Sequence, residues 1–271
     1  MHNPRVVEGK YIQVFQLNDF FSHVTSMILE HFDVETRADN VFILGCYVLE
    51  DSQKIRARFP GKKLVVYQLE QMMGSRSGNW HNVWRLAENI RGYDEIWDYD
   101  PLNVHFLAER DIRVDRLQPM LYTESLNNFV SSENPGIDVL FYGIINERRW
   151  KILHDIQVRC YNDLRIAWLY GEKDMDKYMA DSKVILNIHA FEPWNRQEQT
   201  RIFYPVINGK TVVSELSQHN QFQGLIVESD KGNLVDTLRM MCRTDAWKSF
   251  GNMASGEFKI RTKEFLEKNP F

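Results

Sequence analysis

Several things are scarce in this chain of 271 residues, and each scarcity excludes something. Its three cysteines, Cys46, Cys160 and Cys242, are far apart and odd in number. None forms a CxxC, so they build neither a disulfide framework nor a cysteine metal site, and a reducing compartment is expected. No apolar run approaches the roughly 18–20 residues that span a bilayer. The opening MHNPRVVEGKYIQ has no apolar h-region of a signal peptide, so a cytoplasmic protein without a membrane span is expected. Positive excess is missing too. The net charge is −4, and no global field draws the chain to nucleic acid or an anionic membrane. Low-complexity segments and short-period repeats are absent.

What is present is core-forming material. Hydrophobic residues make up 44% of the chain and aromatics 13%, far above what a disordered chain carries. Apolar runs of strand length alternate with amphipathic stretches. YIQVFQ (11–16), VFILGCYV (41–48), KLVVYQ (63–68), DEIWDY (94–99) and RVDRLQP (113–119) read as strands, with helices expected near 21–32, 51–58, 80–91 and 101–110. IDVLFYG (137–143), LRIAWLYG (164–171), KVILNIH (183–189), KTVVSE (210–215) and GLIVES (224–229) repeat the scheme, with helices near 147–159, 173–181, 197–207 and 230–243. Continuous Val/Ile/Leu runs suit parallel strands covered on both faces. The alternation predicts a doubly wound α/β architecture. TESLNNFVSSENPG (123–136) reads as a linker between two such halves, and GEFKIRTKEFLEKNPF as a terminal helix.

The second half places polar groups at its strand ends. Strand 137–141 runs into Gly143, Asn146, Glu147, Arg148 and Arg149. Two arginines in a first helical turn oppose the helix dipole, which favours acids there. They suit either a bound anion, such as a pyrophosphate held by guanidinium forks, or a solvated basic turn paired with Glu147. Asn187 and His189 alternate at the end of strand 183–189, where a histidine serves either structure or a ligand. Glu198 and Arg201 stand one helical turn apart and share a face. A carboxylate there can accept both hydroxyl protons of a ribose, and the arginine can reach phosphate. Ser214 and Glu215 close the next strand. An ordinary surface ion pair is the alternative for any one of them.

YGxxNERR, LNIH, the Glu-xx-Arg helix and NGKTVVSE together resemble the C-terminal nucleotide-binding domain of GT-B glycosyltransferases. VVYQLEQM (65–72), IWDYDPLN (96–103) and LQPMLY (117–122) extend the resemblance into the first half. The family departs from this chain at two places: WNRQEQTR lacks the usual Phe before the Glu, and LNDFFSH replaces a Gly-rich loop after the first strand. The resemblance implies two Rossmann-like domains facing a central cleft, with the C-terminal helix crossing back. The corresponding boundaries are 1–125 for an acceptor domain, 135–250 for a nucleotide-sugar domain and 251–271 for the helix. It further implies a nucleotide-diphosphate sugar as co-substrate, UDP-linked, and no metal or other cofactor. Arg148 and Arg149 would hold the pyrophosphate and Glu198 the ribose.

Glycosyl transfer needs a base near the acceptor hydroxyl in an inverting enzyme. Glu70, Asp19 and His23 follow first-half strands and are the candidates. Asp98-Tyr99-Asp100 and Asp174-Met175-Asp176 have DxD spacing, but Asp100 before Pro101 reads as an N-cap, and Asp174 also begins a helix. For the acceptor, short proteins of this kind resemble phage enzymes that glycosylate hydroxymethylated pyrimidines in DNA, and also bacterial polysaccharide transferases. Lys54, Arg56, Arg58, Lys62 and Lys63 form a local basic stretch, and Trp80 lies in an aromatic one, so double-stranded DNA is the expected acceptor. A phage enzyme would work in the host cytoplasm. A polysaccharide or small-molecule acceptor, or a nucleotide-sugar binder without turnover, are the alternatives.

Overall fold

The strands form where the apolar runs lie, in a computed structural model that describes residues 4–17, 19–44, 51–72, 87–170, 174–190 and 196–270. The chain divides into two units, Met1–Met120 and Leu121–Pro270. In the first, β1 (Arg5–Glu8), β2 (Gln13–Gln16), β3 (Asn40–Leu44), β4 (Lys63–Gln68), β5 (Glu95–Asp98) and β6 (Arg116–Leu117) lie side by side in chain order. All neighbours from β2 to β6 are parallel. The period-2 alternation of a strand sorts the core into two faces. Val41, Ile43, Leu64 and Val66 pack with Ile55 of α2 (Ser52–Arg58) and with Phe106 and Leu107 of α3 (Pro101–Ala108). On the other face, Phe42 and Trp97 meet Phe32, the last residue of α1 (Ser22–Phe32).

β1 is a strand that the apolar pattern did not announce. It pairs antiparallel with β2 because the turn between them is held from outside: Asp33 accepts the main-chain N–H groups of Lys10, Tyr11 and Ile12. These hydrogen bonds hold the Asp33 carboxyl below its ordinary range, although burial pushes it the other way.

The second unit carries β7 (Ile137–Tyr142), β8 (Ile166–Leu169), β9 (Ser182–Asn187), β10 (Thr211–Glu215) and β11 (Val227–Ser229). All pair in parallel, in the spatial order β8-β7-β9-β10-β11. Chain order reverses between β7 and β9. In a doubly wound sheet that reversal opens a crevice at the strand C-termini. Ile152, Leu153 and Ile156 of α4 (Glu147–Arg159) and Leu234, Val235 and Leu238 of α7 (Leu234–Arg243) cover Val139, Phe141, Val184 and Leu186. The remaining helices are α5 (Met175–Ala180), α6 (Gln199–Ile207) and α8 (Ala246–Lys268).

The C-terminal helix starts ten residues earlier than its sequence suggests. The stretch AWKSFGNMASGEF holds two glycines, which weaken a helix by propensity. Packing decides otherwise. Gly251 lies against the main chain of the β10 approach, where an added Cβ would stand 2.1 Å from the Gly209 carbonyl oxygen. The segment 123–136 is bound to the second unit: Asn208 Nδ2 donates to the Leu126 carbonyl at 2.9 Å, and Lys210 Nζ to Ser131 Oγ at 3.0 Å. Among the described residues no helix is long and apolar enough to cross a membrane.

Candidate functional site

The residues singled out in the second half meet at the β7/β9 switch point. β7 ends at Tyr142, and Gly143 follows at φ +118, a backbone conformation that side chains rarely adopt. A Cβ there would also stand 3.3 Å from the Arg201 guanidinium. Asn146 caps α4, its Oδ1 accepting the Arg149 N–H at 2.9 Å. This fixes the two arginines on the first turn.

Each arginine takes a different carboxylate. Arg148 forms a two-pronged pair with Glu215, Nη1 to Oε2 at 2.8 Å and Nη2 to Oε1 at 2.7 Å, and Nη1 also donates to the His189 carbonyl. Arg149 Nη2 reaches both oxygens of Glu198 at 2.7 Å. Glu198, at the head of α6, also accepts Arg201 Nη1 at 2.7 Å. Arg201 Nη2 donates back to the Tyr142 carbonyl. Burial pushes the Glu198 carboxyl up, but Arg201 and Arg149 prevail and hold it below the ordinary carboxylate range. Burial draws Arg149 down to about 10, still cationic at neutral pH.

β9 and β10 supply the rest. Asn187 and Ser214 are register partners at the strand ends, and Asn187 Nδ2 donates to Ser214 Oγ at 3.0 Å. The His189 main-chain N–H donates to Glu215 at 2.8 Å, and its ring Nε2 donates to the Leu216 carbonyl at 3.0 Å. Three guanidiniums against two carboxylates leave one net positive charge, before His189 is counted. Asn187 Oδ1, His189 Nδ1 and Arg201 Nε are buried without a partner among the described residues. Buried polar atoms are normally satisfied, so three open ones at these strand ends retain hydrogen-bonding capacity.

The acceptors that organise the arginines include the carbonyls of Ile144, Ile188 and His189. Main-chain groups leave no mark in a sequence. Tyr142, whose hydroxyl donates to the Arg201 carbonyl, was likewise not singled out.

The first-half candidates lie along the C-terminal edge of their own sheet. Asp19 follows β2, with its side chain 66% exposed and 3.7 Å from Arg5 Nε. His23 lies half-buried in the first turn of α1. Glu70 follows β4, its N–H donating to Gln68 Oε1 at 2.8 Å and its carbonyl accepting Asn103 Nδ2 at 2.8 Å. Asp98 is fully buried, accepting the Asp100 N–H at 2.8 Å and Asn103 Nδ2 at 3.1 Å. Asp100 caps α3 through the Leu102 N–H at 2.9 Å. That DxD is therefore spent on helix and loop geometry. In the other, Asp176 accepts the Tyr204 hydroxyl at 2.7 Å.

The basic stretch is largely neutralised. Arg56 pairs with Asp94 at 3.0 Å, Lys63 with Glu95 at 2.7 Å and Lys62 with Asp39. Lys62 and Lys63 also sit where β4 begins, at the sheet edge opposite the strand C-termini. Arg58 lies over the Phe15 ring, 4.5 Å from its centroid. Lys54 is exposed, with no carboxylate partner among the described residues. Trp80 lies outside the described residues.

No protein-family model and no curated protein matches this sequence. Solved structures do match. TarM superposes with a TM-score of 0.59 at 9% identity, over 84% of this chain and 53% of that one. An S. aureus TarM variant, in complex with fondaparinux, alpha-GlcNAc-glycerol and UDP, gives 0.55 at 11% identity, over 84% of this chain and 54% of that one. Anabaena HepE, in complex with UDP and glucose, gives 0.55 at 14% identity, over 85% of this chain and 77% of that one. The chain thus spans about half the length of TarM. What these likenesses establish is the fold: two Rossmann-like α/β units built on parallel sheets, the GT-B architecture.

Proposed function

We propose that the protein is a glycosyltransferase that takes a sugar from a nucleotide-diphosphate donor, UDP-linked, and gives it to a hydroxyl acceptor. One observation carries this reading. At the switch point of the second sheet, a net positive cluster of three arginines and two glutamates adjoins three buried polar atoms that have no partner among the described residues. A diphosphate gathers negative charge as it departs from the sugar, and fixed guanidiniums stabilise that charge best when they are already in place. Glu198 keeps acceptor capacity for ribose hydroxyls, and Asn187 and His189 offer polar atoms to the donor. The UDP complexes of HepE and TarM support a uridine donor.

The acceptor hydroxyl loses its proton as the new bond forms. Glu70, Asp19 and His23, all in the first unit, are the proposed bases for an inverting reaction, and a retaining reaction would use the departing phosphate instead. For the acceptor, the ion pairs of Arg56, Lys62 and Lys63 favour a saccharide or small-molecule hydroxyl over hydroxymethylated pyrimidine in DNA, since paired cations attract phosphate less. The alpha-GlcNAc-glycerol in the TarM complex agrees with that order. A cytoplasmic location accompanies the reading.

The test is a thermal-shift panel of UDP-, GDP-, ADP- and TDP-sugars, followed by mass spectrometry of acceptors incubated with the donor that binds. Stabilisation and a hexose- or pentose-sized mass gain, retained in EDTA, are expected. Stabilisation with no transfer or donor hydrolysis would make the protein a binding module. No stabilisation by any donor would end the reading.

A further inference from the structure

Arg149 was expected on the donor's pyrophosphate, yet its surroundings assign it other work. Its side chain is only 6% exposed. All three guanidinium nitrogens are engaged by the protein: Nε with the Ile188 carbonyl at 2.9 Å, Nη1 with the Ile144 carbonyl at 2.9 Å, and Nη2 with both Glu198 oxygens at 2.7 Å. Ile144 lies in the loop after β7, Ile188 just beyond β9, and Glu198 at the head of α6. One planar side chain thus ties together the three segments that converge on the switch point. A lysine carries its three N–H groups on one nitrogen and cannot span acceptors that here meet three separate nitrogens of a planar fork. Arg201 differs. Its side chain is 18% exposed and its Nε has no partner among the described residues.

We infer that Arg149 is a positioning residue that sets the Glu198 carboxylate for the nucleoside and makes no contact with the diphosphate. The inference rests on the donor-site reading above, and it divides two roles that adjacent arginines would otherwise share. An arginine on phosphate supports every nucleoside diphosphate alike. An arginine acting through Glu198 supports only what Glu198 touches, the ribose hydroxyls.

The test compares the affinities of UDP, GDP and ADP with those of their 2′-deoxy forms, by calorimetry on the full chain. Wild type is expected to prefer the ribose form of its diphosphate roughly tenfold or more, the worth of a hydrogen bond to a carboxylate. In Arg149→Ala that preference should collapse toward one, as in Glu198→Ala. The double variant should bind no more weakly than Glu198→Ala alone, because the two residues act as one unit. If Arg149→Ala does not fold, Arg149→Lys keeps the charge, loses the three-way tie, and carries the same comparison. A merely structural loss would weaken both forms together. So an unchanged ribose preference with both affinities reduced, or a double variant weaker than either single one, overturns the inference. So does a wild type that binds a diphosphate without preferring ribose. A wild type that binds no diphosphate removes the donor-site reading itself, and this inference with it.

Discussion

The two sheets end differently. Both present parallel-strand C-termini carrying acids and amides, and each leads into a helix capped by a side chain, α3 by Asp100 and α4 by Asn146. Among the described residues of the first sheet, the polar groups after β4 and β5 are turned inward on one another. Asp98 holds the Asp100 N–H and Asn103; Asn103 holds the Glu70 carbonyl and, through Oδ1, the Met72 N–H at 2.7 Å. At the second sheet the groups also pair, but among the described residues three buried polar atoms are left open and one positive charge is left over. The topologies account for part of this. Strands β2 to β6 run in unbroken chain order, whereas the second sheet reverses between β7 and β9. Successive connections leave a reversal in opposite directions and open a crevice there. A polar strand end is a site only where the fold leaves something for a ligand to complete.

The largest expected effect breaks this contrast if it fails. Asp98→Ala removes a fully buried carboxylate that holds the Asp100 N–H and Asn103, and should cost about 3 kcal/mol of stability. Donor affinity should not change. Chemical denaturation and donor titration of the same variant measure both, and a large loss of donor binding in a folded variant would put the donor site at the first sheet.

A second effect, on the order of 3 kcal/mol, separates the two ends of the second sheet. Lys210 sits at the start of β10 with its side chain buried, and burial brings its amine down to about 8 from 10.5. Between those pH values the unfolded chain keeps a proton that the folded one has released. Stability should therefore rise as pH increases from about 8 to 10.5. Lys210→Met should flatten the rise and leave stability at pH 7 equal or higher, since a buried charge gives way to a hydrophobe of similar length. Urea melts across the range read this directly. Donor affinity measured at pH 7 should be untouched, because Lys210 lies at the opposite end of the strand from Ser214 and Glu215.

Arg201→Ala comes next. Arg201 has an open buried nitrogen and should contribute about 1.5–3 kcal/mol to donor binding, the worth of a charge-assisted hydrogen bond. Isothermal titration with the donor found by thermal shift checks it. A variant that binds donor as well as wild type would mean that the open atoms of the second sheet do not face a ligand.

Much of this was legible beforehand, for a definite reason. The apolar runs gave ten of the strands because buried parallel strands are continuous in Val, Ile and Leu, and β4 lies where KLVVYQ stands. The strand-end residues of the second half converge because the end of a strand is also its address in the sheet. What stayed hidden depends on distant main chain. The helical start of α8 is set by the Gly209 carbonyl against Gly251, and β1 by an Asp33 that follows it by more than twenty residues. The pairing of Arg148 with Glu215 rather than with the neighbouring Glu147 spans 67 residues, and Glu147 pairs instead with Lys151. The ion pairs of the basic stretch 54–63 stayed hidden for the same reason: its carboxylates, Asp39, Asp94 and Glu95, come from elsewhere in the chain.

That stretch gives the smallest expected effect. If Arg56, Lys62 and Lys63 are held by their carboxylates, few cations remain to displace counterions from duplex DNA. The slope of log affinity against log salt should then be shallow, about −2 or less in magnitude, since each neutralised phosphate contributes about −0.9. Replacing Lys62 and Lys63 together by alanine should change DNA affinity by under about 1 kcal/mol, the usual worth of exposed paired charges. Lys54→Ala should have the larger effect of the two substitutions, because among the described residues Lys54 has no carboxylate to return to. Fluorescence anisotropy with hydroxymethylated duplex, from low to moderate salt, measures all three proteins. A slope that falls by about two units in the Lys62/Lys63 variant, together with a mass gain on that duplex, would reverse the order of acceptors and make DNA the substrate. It would also show that a carboxylate-paired surface lysine can be drawn off by phosphate, and the first sheet would then carry a ligand face at its strand N-termini.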